Sequence, residues 1–161
     1  CADFPGQAGL SAMKIINLTE RPEFADAVTD WLWQAFGSEN SRAFFASVVK
    51  SCLTGADLPQ TFIALDGETL AGTVGLWRCD LISRQDLTPW LAALYVDEAY
   101  RSCGLGQQLQ EFVLEQSRRS GFHELYLYAE FTGYYERFGW KYIGDALDYP
   151  DKPVRVYHQS L

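Results

Sequence analysis

The sequence has no long hydrophobic run, no metal-binding pattern and no surplus of basic charge. In a chain of 161 residues the longest apolar run is Trp90–Val96. That is far short of the ~20 residues a membrane-spanning helix requires, so no membrane partner is expected. The start carries neither a basic nor an apolar stretch, so no secretory signal is expected. There are two His and four Cys. The cysteines (Cys1, Cys52, Cys79, Cys103) form no Cys-x-x-Cys pair and both His are isolated, which excludes a zinc pattern; no metal is expected. Scattered thiols without a secretion signal point to a cytoplasmic location. Thirteen Lys and Arg stand against 21 Asp and Glu, for a net charge of −8. A nucleic-acid binder needs a basic face, so nucleic acid is not an expected partner. The acidity is spread along the chain and suits a cationic or neutral partner. Met13 is the only Met, and Cys1–Ala12 is rich in small residues. The expectation is a leader, tag remnant or flexible arm over 1–12, followed by one domain over 13–161.

What is present is core-forming material: 48% hydrophobic residues and 15% aromatic, too much for a disordered chain. Lys14–Asn17 can form a short strand. Phe24, Val28, Trp31, Leu32, Ala35 and Phe36 recur at helical spacing, with Thr19 as cap, Pro22 in the first turn and Gly37 as the stop. A second helix after Ser38 presents Phe44, Phe45, Val48, Val49, Cys52 and Leu53, and stops at Gly55. Thr61–Leu65 and Leu70–Trp77 flank the turn Asp66–Gly67–Glu68 as a hairpin. Leu81–Thr88 has no periodicity and reads as a loop. Trp90–Val96 is apolar on both faces and so a central strand. Leu105, Leu109, Phe112 and Val113 form the stripe of a third helix that ends at Gly121. Phe122–Ala129 alternates as a strand. A short helix near Gly133–Phe138 leads to strands near Trp140–Gly144 and Val154–His158. The order β-α-α-β-β-β-α-β-α-β-β predicts a mixed α/β (α+β) domain, helices packed on a largely antiparallel sheet.

The stretch Leu94–Gln107 carries the chemistry. A central strand ends, the chain turns, and a helix opens at Gly104-Leu105-Gly106. Glycines allow backbone N–H groups to converge on one point, and the new helix aims its free N–H groups and positive end there. Such a site binds phosphate. Arg101 adds a full charge with planar donors, so a pyrophosphate is the natural ligand. The nucleoside-triphosphate loop Gly-x-x-x-x-Gly-Lys-[Ser/Thr] is absent. The dinucleotide fingerprint fails because its third glycine would fall at Leu109.

Arg101-Ser102-Cys103-Gly104-Leu105-Gly106 resembles Arg/Gln-x-x-Gly-x-Gly/Ala, the acetyl-CoA pyrophosphate loop of the GNAT superfamily of N-acetyltransferases. Tyr134-Tyr135-Glu136-Arg137-Phe138-Gly139-Trp140 is similar to that family's Phe-Tyr-Glu-Lys-x-Gly-Phe/Trp element, and the element order from Met13 onward matches the GNAT acyl-CoA N-acyltransferase fold. The resemblance implies acetyl-CoA as cosubstrate. It implies a splay between the strands at Trp90–Val96 and Glu124–Tyr128, with the pantetheine arm on main-chain groups of Leu94, Tyr95 and Val96. The pyrophosphate would lie on Arg101, Ser102, Cys103, Gly104, Leu105, Gly106 and Gln107. Two departures stand out. Cys103 fills a position the family often gives to Arg, Lys or Gly. The connection Ala129–Gly133 is short and lacks its usual Asn, with Thr132 as the substitute cofactor contact.

Acetyl transfer to an amine requires the amine to lose a proton, an oxyanion donor and an acid for the departing thiolate. The resemblance assigns the acid to Tyr135 and the oxyanion donor to backbone N–H near Val96, with Tyr134 as packing. Asp80 and Glu130, each following a strand, are the candidate bases. Trp77, Trp90 and Tyr128 are candidates for the acceptor pocket. The expected acceptor is a small-molecule cationic amine; a homodimer is compatible with the resemblance. Two rivals remain at this point. One is a cysteine hydrolase with Cys103 activated at the helix start and His123 as base. The other is a GNAT-like acyl-CoA sensor or interaction module without turnover.

Overall fold

A computed structural model describes residues 13–161; the expected arm over 1–12 lies outside the described residues. The strands are β1 (Lys14–Asn17), β2 (Gln60–Asp66), β3 (Thr69–Trp77), β4 (Trp90–Val96), β5 (Glu124–Ala129), β6 (Lys141–Asp148) and β7 (Lys152–Ser160). They form one sheet in the order β1-β2-β3-β4-β5-β7-β6. Every neighbouring pair is antiparallel except β4 and β5, which run parallel. The predicted fold class and the central place of β4 are therefore the observed ones.

Three helices cover the sheet: α1 (Ala25–Phe36), α2 (Arg42–Ser51) and α3 (Leu105–Arg119). Alternation along β2 divides the core. Ile63 and Leu65 pack with Ile16, Val28, Leu32 and Val49 under α1 and α2. Phe62 and Ala64 pack with Leu105, Leu109 and Val113 of α3 on the other face. The period-2 pattern of a strand buried on both sides produces this division. Leu109 and Val113 are fully buried, and each such side chain contributes ~1.5–3 kcal/mol by leaving water.

The helix ends differ from the sequence expectation in instructive ways. Asn17, not Thr19, is the first cap. Its side chain accepts from the Thr19 N–H at 2.9 Å, and Glu20 accepts from the Asn17 N–H at 3.3 Å. This capping box closes a single 3-10 turn, Leu18–Glu20. A second turn, Pro22–Phe24, precedes α1, which begins only at Ala25. Gly37 does cap α1, but its φ is −100°. Space is the reason for glycine there: a Cβ would lie 2.6 Å from Ser41 Oγ and 2.7 Å from the Phe45 ring. Phe44 is exposed rather than part of the buried stripe of α2, whose buried residue is Val49.

Candidate active site

The turn between β4 and α3 is tied to the rest of the sheet at several points. The Asp97 N–H donates to the Ala71 carbonyl on β3 at 2.9 Å. A 3-10 turn, Glu98–Tyr100, follows. The buried Tyr100 donates its hydroxyl to Asp66 at the end of β2, at 2.7 Å. That bond, first, and then burial push the Tyr100 phenol up to about 12. Arg101 folds back over β4: its Nε donates to the Val96 carbonyl at 2.9 Å, and its guanidinium carbon lies 5.4 Å from the Tyr95 ring centre. Tyr95 in turn meets Trp31 of α1 at 5.0 Å between ring centres.

Ser102 has φ +62° and Gly104 φ +85°, so the chain passes twice through the left-handed region before α3 opens at Leu105. Gly104 requires glycine for its backbone and has open space where a Cβ would stand. At Gly106 the constraint is a neighbouring side chain instead of the backbone. A Cβ there would lie 2.8 Å from the Tyr134 hydroxyl. Tyr134, read from sequence as packing, thus brings a phenol to the first turn of α3. Only chain topology, which lays the 134–140 segment across α3, could have revealed it.

The parallel pair β4–β5 is the second element of the site. Its register is a single pairing, Trp90 with Tyr126, joined by the Tyr126 N–H donating to the Pro89 carbonyl at 3.1 Å. Beyond that point the strands part, as the resemblance implied. A bulge on β4 adds to this. Thr73 pairs with Tyr95 and Gly75 with Ala92, so three steps on β4 face two on β3, and Ala93 takes φ +50°. A bulge leaves its extra residue outside the ladder and re-aims the backbone toward the gap. The expectation of an oxyanion donor at Val96 did not include this feature. Leu94 and Val96 pack their side chains toward the α3 face of the core.

Three predicted residues are linked by charge, with Asp80 acting on both Tyr135 and Tyr128. Asp80 is half-buried as a residue. Burial, then the nearby charge of Asp148 on β6, raise it to about 7. No hydrogen bond or ion pair engages its side chain among the described residues. Tyr135, on the 3-10 turn Tyr135–Phe138, is pushed up by burial, then by Tyr134 and by the charge of Asp80. Tyr128 on β5 is pushed up by burial and by Asp80, Asp148 and Glu130. Glu130 differs from Asp80: it is exposed and ion-paired with Lys152.

The remaining candidates are dispersed. Trp90 is fully buried, with its Nε1 donating to the Leu87 carbonyl at 2.6 Å. Trp77 packs on the α1–α2 face and donates to Thr61 Oγ1 at 3.4 Å. Thr132 is exposed on the loop after β5. His158 is paired with Glu124 at 3.2 Å. Among the described residues the free thiols are Cys52 and Cys79. No three His, Cys, Asp or Glu side chains among the described residues gather as metal ligands would, and no described helix is long and apolar enough to cross a membrane.

A turn rich in backbone donors at a helix start, beside a splayed parallel strand pair, is the architecture of an acyl-carrier binding fold. Comparison with known proteins makes this specific. Residues 25–140 match the acetyltransferase (GNAT) family. Solved structures share the fold at low identity. An aminoglycoside 6'-N-acetyltransferase complexed with coenzyme A has 17% identity and a TM-score of 0.71, covering 91% of this chain and 96% of that one. An acetyltransferase from Streptococcus agalactiae has 23% identity and a TM-score of 0.69, covering 92% and 98%. A GNAT family acetyltransferase from Elizabethkingia anophelis with acetyl-CoA bound has 16% identity and a TM-score of 0.66, covering 92% and 98%. No curated protein matches the sequence. The chain belongs to the GNAT acetyltransferase family and is an acetyl-CoA-dependent acyltransferase.

Proposed function

We propose that this protein moves the acetyl group of acetyl-CoA directly to the primary amine of a small cationic metabolite, with Asp80 as base and Tyr135 as general acid. The observation that carries this reading is Asp80: a carboxyl raised by burial, without a hydrogen-bond or ion-pair partner among the described residues, and close enough in charge to Tyr135 to raise it. A base held near 7 is matched to a neutral medium. An unpaired buried carboxylate attracts an ammonium ion, and the arriving cation offsets its desolvation. The overall acidity of the chain favours the same class of acceptor.

The cosubstrate fits the residues present. Left-handed Ser102 and Gly104 shape the turn into α3, whose first N–H groups, from Leu105 to Gln107, have no carbonyl of the preceding turn to bond and would receive the pyrophosphate. The gap beyond the Trp90–Tyr126 pairing leaves main-chain groups of Leu94, Tyr95 and Val96 to pair with the pantetheine amides. Thr132, exposed on the loop after β5, would supply a further contact.

The proton steps follow from these positions. Asp80 takes a proton from the bound ammonium, and the free amine attacks the thioester carbon. The C–N bond forms and the C–S bond breaks. Backbone N–H groups of the β4 bulge stabilise the oxyanion. Tyr135 delivers its proton to the departing sulfur, and the second proton of the attacking nitrogen, lost as the amide forms, restores the phenol. Burial keeps the phenol protonated, and the same dry surroundings raise the affinity of the thiolate for a proton. One proton leaves to water for each acetyl group transferred. Of the two candidate bases Asp80 is preferred, because Glu130 already has a cationic partner in Lys152.

The test is release of free CoA thiol from acetyl-CoA against a panel of primary amines graded by charge. Turnover should be greatest with cationic amines and should fall on Asp80→Asn. Acetyl-CoA binding without turnover on every amine would replace this reading with the sensor.

A further inference from the structure

Tyr135 stands on a turn of four residues, Tyr135–Phe138, too short to be stable alone. Its hydroxyl makes no hydrogen bond among the described residues, so its position is set by the backbone beneath it and by packing. The ring packs against Tyr157, Trp140 and Phe131, at 6.2, 6.4 and 6.0 Å between centres. Glycines in the left-handed region bracket the turn, Gly133 at φ +90° and Gly139 at φ +89°.

One side chain joins this turn to the sheet. Glu136 Oε1 accepts from the Gly133 N–H at 3.0 Å. Glu136 Oε2 accepts from the Tyr157 hydroxyl at 3.2 Å. That hydroxyl itself accepts from Arg155 Nε at 3.2 Å, and the Arg155 guanidinium lies 3.8 Å over the Tyr142 ring. Tyr157 is fully buried on β7, which lies between β5 and β6. The carboxylate therefore spans from the start of the turn to a rigid strand. Its bonds to its own backbone N–H, to Gly133 and to Tyr157 hold it below the usual carboxylate range, so it remains charged.

We infer that Glu136 is the positioning residue for the Tyr135 phenol: it locks the catalytic turn onto β7 through Gly133 and Tyr157. The inference rests on Tyr135 being the general acid. A misplacement near 1 Å in such a group costs up to ~100-fold in rate, so small slack in this turn should be visible in turnover.

The test compares Glu136→Ala and Glu136→Gln with Tyr135→Phe and the double variant Tyr135→Phe/Glu136→Ala. Glu136→Ala should lower kcat roughly 10- to 100-fold with KM for acetyl-CoA unchanged. Glu136→Gln retains an oxygen acceptor for the Gly133 N–H and should restore much of the rate. In the Tyr135→Phe background, Glu136→Ala should cost nothing further, because the two act as one unit. Equal losses in both backgrounds would show a merely structural role and overturn the inference. Should Tyr135→Phe leave turnover intact, the acid assignment fails instead. The positioning claim is then read from the 19F resonance of 3-fluorotyrosine at position 135. It should be narrow in the parent and in Glu136→Gln, and shifted or broadened in Glu136→Ala. An unchanged resonance in Glu136→Ala would also overturn the inference.

Discussion

The Tyr100 hydroxyl donates to the Asp66 carboxylate at 2.7 Å, joining the turn that precedes α3 to the β2–β3 hairpin. Tyr100 is the residue immediately before Arg101, so this bond restrains the start of the loop proposed to hold the pyrophosphate. A hydrogen bond to a charged group contributes ~1.5–3 kcal/mol. Tyr100→Phe and Asp66→Ala should each weaken acetyl-CoA binding by roughly tenfold, with kcat little changed, since neither residue reaches the reacting atoms. Asp66→Asn keeps an acceptor and should lose less. Isothermal titration with acetyl-CoA measures the change; equal affinity in all three variants would mean the loop needs no such tether.

The two glycines of the loop should respond differently to substitution. Gly104→Ala places a Cβ in open space but strains a left-handed residue, at a cost near ~1 kcal/mol. Gly106→Ala meets the Tyr134 hydroxyl at 2.8 Å and should raise KM for acetyl-CoA. Adding Tyr134→Phe removes the obstructing oxygen and should recover part of the loss. Steady-state kinetics of the single and double variants decide this, and no recovery would place the cause elsewhere. Gly104→Glu should abolish CoA binding by bulk and by repulsion of phosphate.

Asp80 couples activity and stability to pH with opposite signs. As the proposed base it must be ionised, so kcat/KM should rise with pH on an acid limb near 7, and Asp80→Asn should remove that limb along with most of the rate. For stability, the folded carboxyl is raised from 3.8 to about 7. Between these values the native state binds more protons than the unfolded chain, so stability falls as pH rises from ~4 to ~7 and then levels. Asp80→Asn removes this penalty. In the absence of acceptor it should be more stable than the parent at pH 8, by at most ~4 kcal/mol, and equal to it near pH 4. Thermal unfolding at the two pH values tests this; a variant destabilised at pH 8 would contradict the desolvation of Asp80.

Tyr135→Phe should lower kcat by ~100-fold, the usual contribution of a general acid, with acetyl-CoA affinity almost unchanged. The deletion of one hydroxyl leaves the ring contacts with Tyr157 and Trp140 in place. Full turnover in this variant would remove Tyr135 as the acid.

Local pattern was a good guide wherever local chemistry decided the outcome. Trp90–Val96 is read from sequence with the bounds observed for β4, because an apolar run on both faces has few other uses. Gly104 is left-handed and α3 opens at Leu105, as a strand-glycine-helix junction implies. The α1 start was missed because two 3-10 turns carry its capping signals, and Asn17 outcompetes Thr19 for the first of them. Phe44 was misassigned because a helical stripe one residue too wide cannot be distinguished from its neighbour before the helix is docked.

The sequence by itself determined the element order and the strand-glycine-helix turn, since each is a matter of residue type and short spacing; Tyr135 as candidate acid came from the family resemblance, and Asp80 and Glu130 stood as equal candidates for the base. Tertiary structure alone decided which of these groups act on one another. The bulge at Ala93 exists only against β3, because a pairing mismatch needs two strands. The Tyr134 hydroxyl reaches Gly106, and Glu136 reaches Tyr157, only once distant segments cross. Asp80 and Glu130 look alike as isolated carboxylates. Folding buries one beside Asp148 and gives the other a lysine, and the dielectric and the neighbouring charge that separate them come from chain segments far apart in sequence.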